Sequence, residues 1–268
     1  MTRPLSRTIP FMLFPLLLTG CGSLPGGWGE NATLHPGWER IGNAARKSAL
    51  SPHVWIPTGA ALLLQIDHAD ERISDWATEN TPVFGSNDQA EDASNILLYS
   101  SIALFGATAL ATPSGNESGE WIRSKTKGIG TQSLAPLFTL GTTELLKNTI
   151  NRARPNGEDQ KSFPSGHTSV VAANSMLAYR NTGALQIPQW EKTTLKTGFI
   201  LLPYATGWAR IEAAKHYPSD VLVGTALGNF FGTFINDAFM GIDSPEELQL
   251  TFRYLPDGTF ALGLTRQF

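Results

Sequence analysis

The chain has 268 residues, 41% of them hydrophobic, a single cysteine and a formal net charge of −3. A chain of this length can bury a sufficient core as one domain without disulfides or structural metals. The lone Cys21 excludes both disulfides and multi-cysteine metal sites. With a pI near 6.0 there is no broad basic face for nucleic acid, so any anion site has to be a local cluster of cations.

Residues 1–20 read as a secretory signal. Arg3 and Arg7 form a positive start, an apolar stretch follows over 9–18, and Thr19-Gly20-Cys21 comes at once. Leu18-Thr19-Gly20-Cys21 resembles a bacterial lipobox, which implies lipidation of Cys21 as the new N-terminus. Gly22 and Ser23 after it, where an aspartate is absent, are similar to the pattern that sends enteric-type lipoproteins to the outer membrane. Residues 21–50, rich in Gly, Pro and polar residues, read as a tether and lead-in with a short helix over 38–48.

From there the pattern is mainly α. Apolar helical segments are predicted over 54–66, 94–112, 131–149, 167–180, 193–208 and 219–238. Breakers separate them at Thr81-Pro82, Pro113-Ser114-Gly115, Arg154-Pro155-Asn156-Gly157 and Thr182-Gly183. Only 94–112 and 219–238 approach the ~20 apolar residues of a membrane span. A mean hydropathy of −0.10 favours a soluble bundle over 51–240. In 245–268, Leu248, Leu250, Phe252 and Tyr254 alternate with polar residues. Pro256-Asp257-Gly258 offers a turn, and Phe260, Leu262 and Leu264 alternate again. This predicts a short β-hairpin packing one face on the bundle.

Three segments place charge at helix ends. In Lys147-Asn148-Thr149-Ile150-Asn151-Arg152-Ala153-Arg154-Pro155 a helix would set Lys147 and Arg154 on one face, ending at Arg154 because the residue before proline leaves the α region. The pair can grip an anion from two sides, or simply oppose the helix dipole as a solvated basic end. Phe163-Pro164-Ser165-Gly166-His167-Thr168 opens the next helix. Its free N–H groups, the close approach that Gly166 allows and the Ser165 hydroxyl suit an oxyanion, with His167 beside it; an ordinary helix start with a surface histidine is the alternative. In Arg210-Ile211-Glu212-Ala213-Ala214-Lys215-His216-Tyr217-Pro218-Ser219-Asp220, Pro218 suits a first helical turn. Asp220 can then accept a hydrogen bond from one ring nitrogen of His216 and leave the other free, or it merely caps the helix.

In order and spacing these segments, over 147–220, resemble the tripartite motif of the type 2 phosphatidic acid phosphatase and vanadium haloperoxidase superfamily. The resemblance implies a helical bundle of that type and a metal-independent phosphatase without a cofactor. It implies that His216 is the nucleophile, Asp220 its orienting partner and His167 the general acid. It places Lys147, Arg154, Ser165, Gly166 and Arg210 around the phosphate. Ala209 stands where the family commonly has serine, which implies a tuned rather than an abolished site. The expected substrate is a phosphorylated lipid, a prenyl diphosphate or a small phosphomonoester, met in the cell envelope through the lipid anchor on the periplasmic side of the outer membrane. A vanadate-dependent haloperoxidase and a non-catalytic lipoprotein that keeps the fold are the competing readings. Asp67-His68-Ala69-Asp70, which can be drawn as a metal cluster, reads instead as a solvated helix end.

Overall fold

The computed structural model describes residues 27–115, 117–242, 248–254 and 260–266. The expected signal sequence and Cys21 lie outside them. Among the described residues the helices are α1 (Trp38–Ala49), α2 (Pro52–Leu63), α3 (Ala69–Asn80), α4 (Asn87–Ala111), α5 (Ser118–Gln132), α6 (Leu134–Ile150), α7 (Gly166–Ala184), α8 (Gln189–Glu212) and α9 (Pro218–Phe239). A 3₁₀ turn, Ile66–His68, precedes α3. The strands β1 (Leu248–Tyr254) and β2 (Phe260–Arg266) pair antiparallel, with Thr251 opposite Gly263. The turn at Pro256-Asp257-Gly258 lies outside the described residues, as does the face β1 and β2 were expected to pack on the bundle.

α7 and α9 form the centre, with α4, α6 and α8 around α7 and α1, α2 and α6 around α9. Small residues make this closeness possible. A Cβ on Gly228 would stand 2.1 Å from the Ser169 carbonyl oxygen, one on Gly224 2.7 Å from the Ser165 carbonyl, and one on Gly232 2.8 Å from Met176 Cβ. Spaced by four, these glycines form one seam along α9, so its backbone lies directly on α7. The consequence for the site is positional. The N-termini of α7 and α9 are held together, and the Ser165 N–H donates to the Asp220 carbonyl at 3.0 Å.

Two helices went unforeseen, α3 and α5. Both are polar in composition, and packing rather than an apolar stripe holds them. α5 is anchored by Lys125, 3% exposed, whose ammonium donates to the Ala109 and Thr112 carbonyls and the Thr112 hydroxyl. A cation at the end of α4 meets the unpaired carbonyls there. Burial pushes that amine down to about 8.

The expected tether needs correction from Gly27 onward. Trp28 is 2% exposed and sits in the core cluster with Phe105, Leu177 and Ile235. Its indole N–H donates to Asn181 Oδ1 at 3.0 Å, and that amide is paired in turn with Gln132. These residues belong to the domain.

The outer surface departs from a water-soluble bundle. Large apolar side chains stand exposed on α2 (Ile56, Leu62, Leu63), on α4 (Ile96, Tyr99, Ile102, Leu110) and on α6 (Leu137, Phe138, Leu145, Ile150). α4 is long and apolar enough to cross a membrane by length and composition, and only 28% of its apolar window is buried. Exposed apolar side chains in these numbers are the kind of surface that meets a partner or a lipid phase.

Candidate active site

The three charged segments meet at one end of the bundle. α6 ends at Ile150 because Asn151 adopts φ 51°, four residues before the expected stop, so Lys147 and Arg154 do not share a helix face. Lys147, on the last turn, reaches back to the start of α7. Its ammonium would lie 3.3 Å from a Cβ on Gly166, and it pairs with Glu144 at 3.4 Å. Arg154, in the loop to α7, donates from Nε to Asp159 at 2.6 Å and from a terminal nitrogen to the Lys215 carbonyl at 3.3 Å.

Ser165 caps α7 in extended conformation and Gly166 is its first helical residue. The Ser165 side chain is fully buried, with its oxygen 2.9 Å from the Thr168 hydroxyl. His167 Nε2 lies 2.9 Å from Asn95 Oδ1 on α4, which places a proton on that nitrogen. Burial first, then Arg210, His216, Lys147 and Arg154, push His167 down to about 4. The imidazolium expected for a general acid is therefore not the resting state at neutral pH; a dianion in the pocket is needed to draw a proton onto the ring.

Arg210, near the end of α8, is 5% exposed. It donates to the Ser94 hydroxyl at 3.2 Å and lies 3.8 Å from Glu91, while its Nε has no hydrogen-bond partner. Burial lowers it to about 10, so it stays cationic. A buried guanidinium N–H without an acceptor is costly and calls for an anion. Ala209 beside it is fully buried.

His216 is 1% exposed. Its Nδ1 lies 2.6 Å from the Ser162 carbonyl oxygen and 3.9 Å from Asp220 Oδ2. A carbonyl only accepts, so Nδ1 carries the proton and Nε2 keeps its lone pair. The direct Asp220–His216 hydrogen bond expected from the spacing is thus replaced. The Asp220 carboxylate is taken up by the Ser162 hydroxyl at 2.5 Å, the Tyr217 N–H at 2.9 Å and an Arg152 nitrogen at 2.7 Å. These donors, His216 and the Arg152 charge outweigh its burial and keep it below the usual carboxylate range. Ser162 is the joint: its carbonyl orients the histidine and its hydroxyl holds the aspartate.

Sequence reasoning missed Asn95, Ser162 and Arg152, none of which carries a signal of its own in loop or helix. It also misplaced Asp70. That residue is 1% exposed, not solvated, and accepts from the Ser219 N–H at 2.7 Å and from Arg152 at 2.8 Å. Among the described residues no group of three or more His, Cys, Asp or Glu is placed to hold a metal ion.

Comparison with known proteins bears on the family of the chain. The family model described as PAP2 superfamily matches residues 131–240, which contain Lys147, Arg154, Ser165, Gly166, His167, Arg210, His216 and Asp220. A lipid A 1-phosphatase of Rhizobium johnstonii is 31% identical over 129 residues, covering 42% of this chain and 46% of its own length. A decaprenylphosphoryl-5-phosphoribose phosphatase of Mycobacterium tuberculosis is 30% identical over 144 residues, 50% of this chain and 68% of that one. The chain thus spans about half the length of the rhizobial relative. A transmembrane PAP2-type phosphatidylglycerolphosphate phosphatase from Bacillus subtilis superposes with a TM-score of 0.47 at 22% identity, over 68% of this chain and 90% of that one. With the motif residues gathered at one bundle end and the mycobacterial relative matched over two thirds of its length, the chain belongs to the PAP2 superfamily.

Proposed function

We propose that the protein is a phosphatase that hydrolyses phosphomonoesters of lipid or prenyl type through a phosphohistidine at His216. The observation that carries this reading is the convergence of an oriented neutral histidine, a second histidine and three cations on the N-terminus of α7. His216 Nε2 attacks phosphorus while the bond to the leaving oxygen breaks, and His167 gives that oxygen its proton. Water then attacks phosphorus, the P–N bond breaks, and His167 takes back the water proton. Lys147, Arg154 and Arg210, with the Gly166 N–H, surround the equatorial oxygens, where a loose in-line transition state carries its charge. Ser165, tied to Thr168, supports the Gly166 turn.

The exposed apolar faces of α2, α4 and α6 support a lipid substrate. Their site-end members, Ile96, next to Asn95, and Ile150, three residues after Lys147, are exposed. The two relatives named for lipid A and decaprenylphosphoryl-phosphoribose phosphatases support the same class. Lipidation at Cys21, following removal of residues 1–20, would hold the domain at the envelope membrane, with the outer membrane as the proposed location.

The test is a panel of phosphatidate, phosphatidylglycerophosphate, prenyl diphosphate and lipid A against a generic soluble phosphomonoester. The expected result is phosphate release from lipid substrates, unaffected by EDTA and inhibited by vanadate. Halide oxidation by peroxide on adding vanadate, without phosphate release, would favour the haloperoxidase reading instead; no turnover at all would favour the non-catalytic one.

A further inference from the structure

The residue that holds the nucleophile's acidic partner is itself held from outside the family-matched segment. Arg152 bridges two buried carboxylates: one terminal nitrogen donates to Asp220 Oδ1 at 2.7 Å and to the Ser219 hydroxyl at 2.8 Å, the other to Asp70 Oδ2 at 2.8 Å. Its guanidinium also lies over the Tyr217 ring, 4.1 Å from the centroid. Asp70 stands on α3, beyond residues 131–240. It accepts both the Ser219 N–H and the Ser219 hydroxyl, and so serves as an N-terminal cap for α9 from a different helix. Tyr217, at the cap position, is not one of the usual Ser, Thr, Asp or Asn caps, and a carboxylate there also meets the positive end of the dipole.

We infer that Asp70 and Arg152 are positioning residues for the nucleophile. They form a relay, Asp70–Arg152–Asp220–Ser162–His216, that fixes the first turn of α9 and sets how much of the Asp220 charge the histidine feels. The inference rests on the reading of His216 as nucleophile. Two further observations carry it. A single arginine satisfies two carboxylates that are each at most 1% exposed, which no exposed ion pair requires. And Ser162, whose carbonyl holds His216, reaches Asp220 through its own hydroxyl, so a shift of Asp220 is felt at the ring within one residue.

The groups facing this relay are few. Arg210 of α8, Arg154 of the α6–α7 loop and His167 of α7 face His216, and Glu71 and Asp75 of α3 act on Tyr217. All stay in place in the variants below, so the change read is the relay's own.

The test is a double-mutant cycle with His216 titration by NMR in the full chain as the first readout, because it needs no turnover. Arg152→Gln leaves the Asp220 charge uncompensated and is expected to raise the His216 pKa by about one unit; Asp70→Asn leaves Arg152 undivided on Asp220 and lowers it. In the Arg152→Gln background Asp70→Asn is expected to move it no further. Arg152→Lys, which keeps the charge but cannot bridge both carboxylates, moves the titration less than half as far as Arg152→Gln. On lipid phosphate, kcat falls in both single variants with KM little changed. Shifts of the same sign in both, or an unmoved titration with only lowered stability, would overturn the relay. If Arg152→Gln does not fold, an Asp70→Asn titration that stays at the wild-type value overturns it alone. Absence of phosphatase activity in the wild type would instead refute the proposed function, with the titration still readable.

Discussion

Lowering the pH should destabilise the folded chain through His216 by an amount the site geometry fixes. The ring is 1% exposed, and its Nδ1–H bond to the Ser162 carbonyl fixes the tautomer. Burial, with help from Arg210 and Arg154, pushes it from 6.5 to about 4. The opposing pull of Asp220 is insufficient, since that carboxylate already serves Ser162, Tyr217 and Arg152. A depressed histidine binds its proton less readily folded than unfolded. The stability it contributes is therefore full above pH 6.5 and is lost as pH falls toward 4. At 1.36 kcal/mol per unit, the loss is about 3 kcal/mol, a large share of a typical folding free energy. Denaturant unfolding of wild type and His216→Gln at pH 7.5 and 4.5 isolates it, because the other acids titrate in both proteins. The wild type should lose about 2 to 3 kcal/mol more than the variant between the two pH values. Equal losses, or a folded-state histidine titrating near 6.5, would refute the reasoning.

Other consequences follow from the same geometry. Gly228→Ala drives a methyl to 2.1 Å from the Ser169 carbonyl, backbone that cannot give way, so α7 and α9 part; the cost should be about 1–3 kcal/mol in denaturant unfolding, with activity falling alongside. Arg210→Lys removes the unpartnered Nε–H and the planar fork, and should lower kcat by about 100-fold or more with less effect on KM. Because His167 sits at about 4 in the empty site, kcat/KM should decline as pH rises above about 4, whereas the alkaline limb of kcat, read in the phosphate-bound complex, lies higher. Asn95→Asp puts a carboxylate 2.9 Å from that ring and should move the kcat/KM limb up by about one unit; an unmoved limb would detach His167 from the proton transfer.

The bundle and the motif were legible because their signals are local. Apolar periodicity marked α2, α4, α6, α7, α8 and α9, and the sequence order of cations and histidines marked the site. α3 and α5 were not legible: they carry Asp70 and Lys125, polar residues that are buried only because distant carbonyls and an arginine meet them. The orienting partner of His216 was misread for a similar reason. Spacing places Asp220 on the next turn, but it cannot show that a loop 54 residues upstream inserts the Ser162 carbonyl between them. Lys147 and Arg154 were expected on one helix face and are not, since nothing short of structure shows Asn151 turning left-handed. The apolar exterior was masked by composition. Polar residues drawn into the core lower the mean hydropathy while large apolar ones remain outside.

The central claim is that His216 takes the phosphoryl group. Rapid quenching of the full chain with ³²P-labelled lipid phosphate, followed by peptide mapping, addresses it directly. The account predicts an acid-labile, base-stable label on His216, longer lived in His167→Ala and absent from His216→Asn. Turnover without any label on His216, or undiminished turnover by His216→Asn, would contradict it.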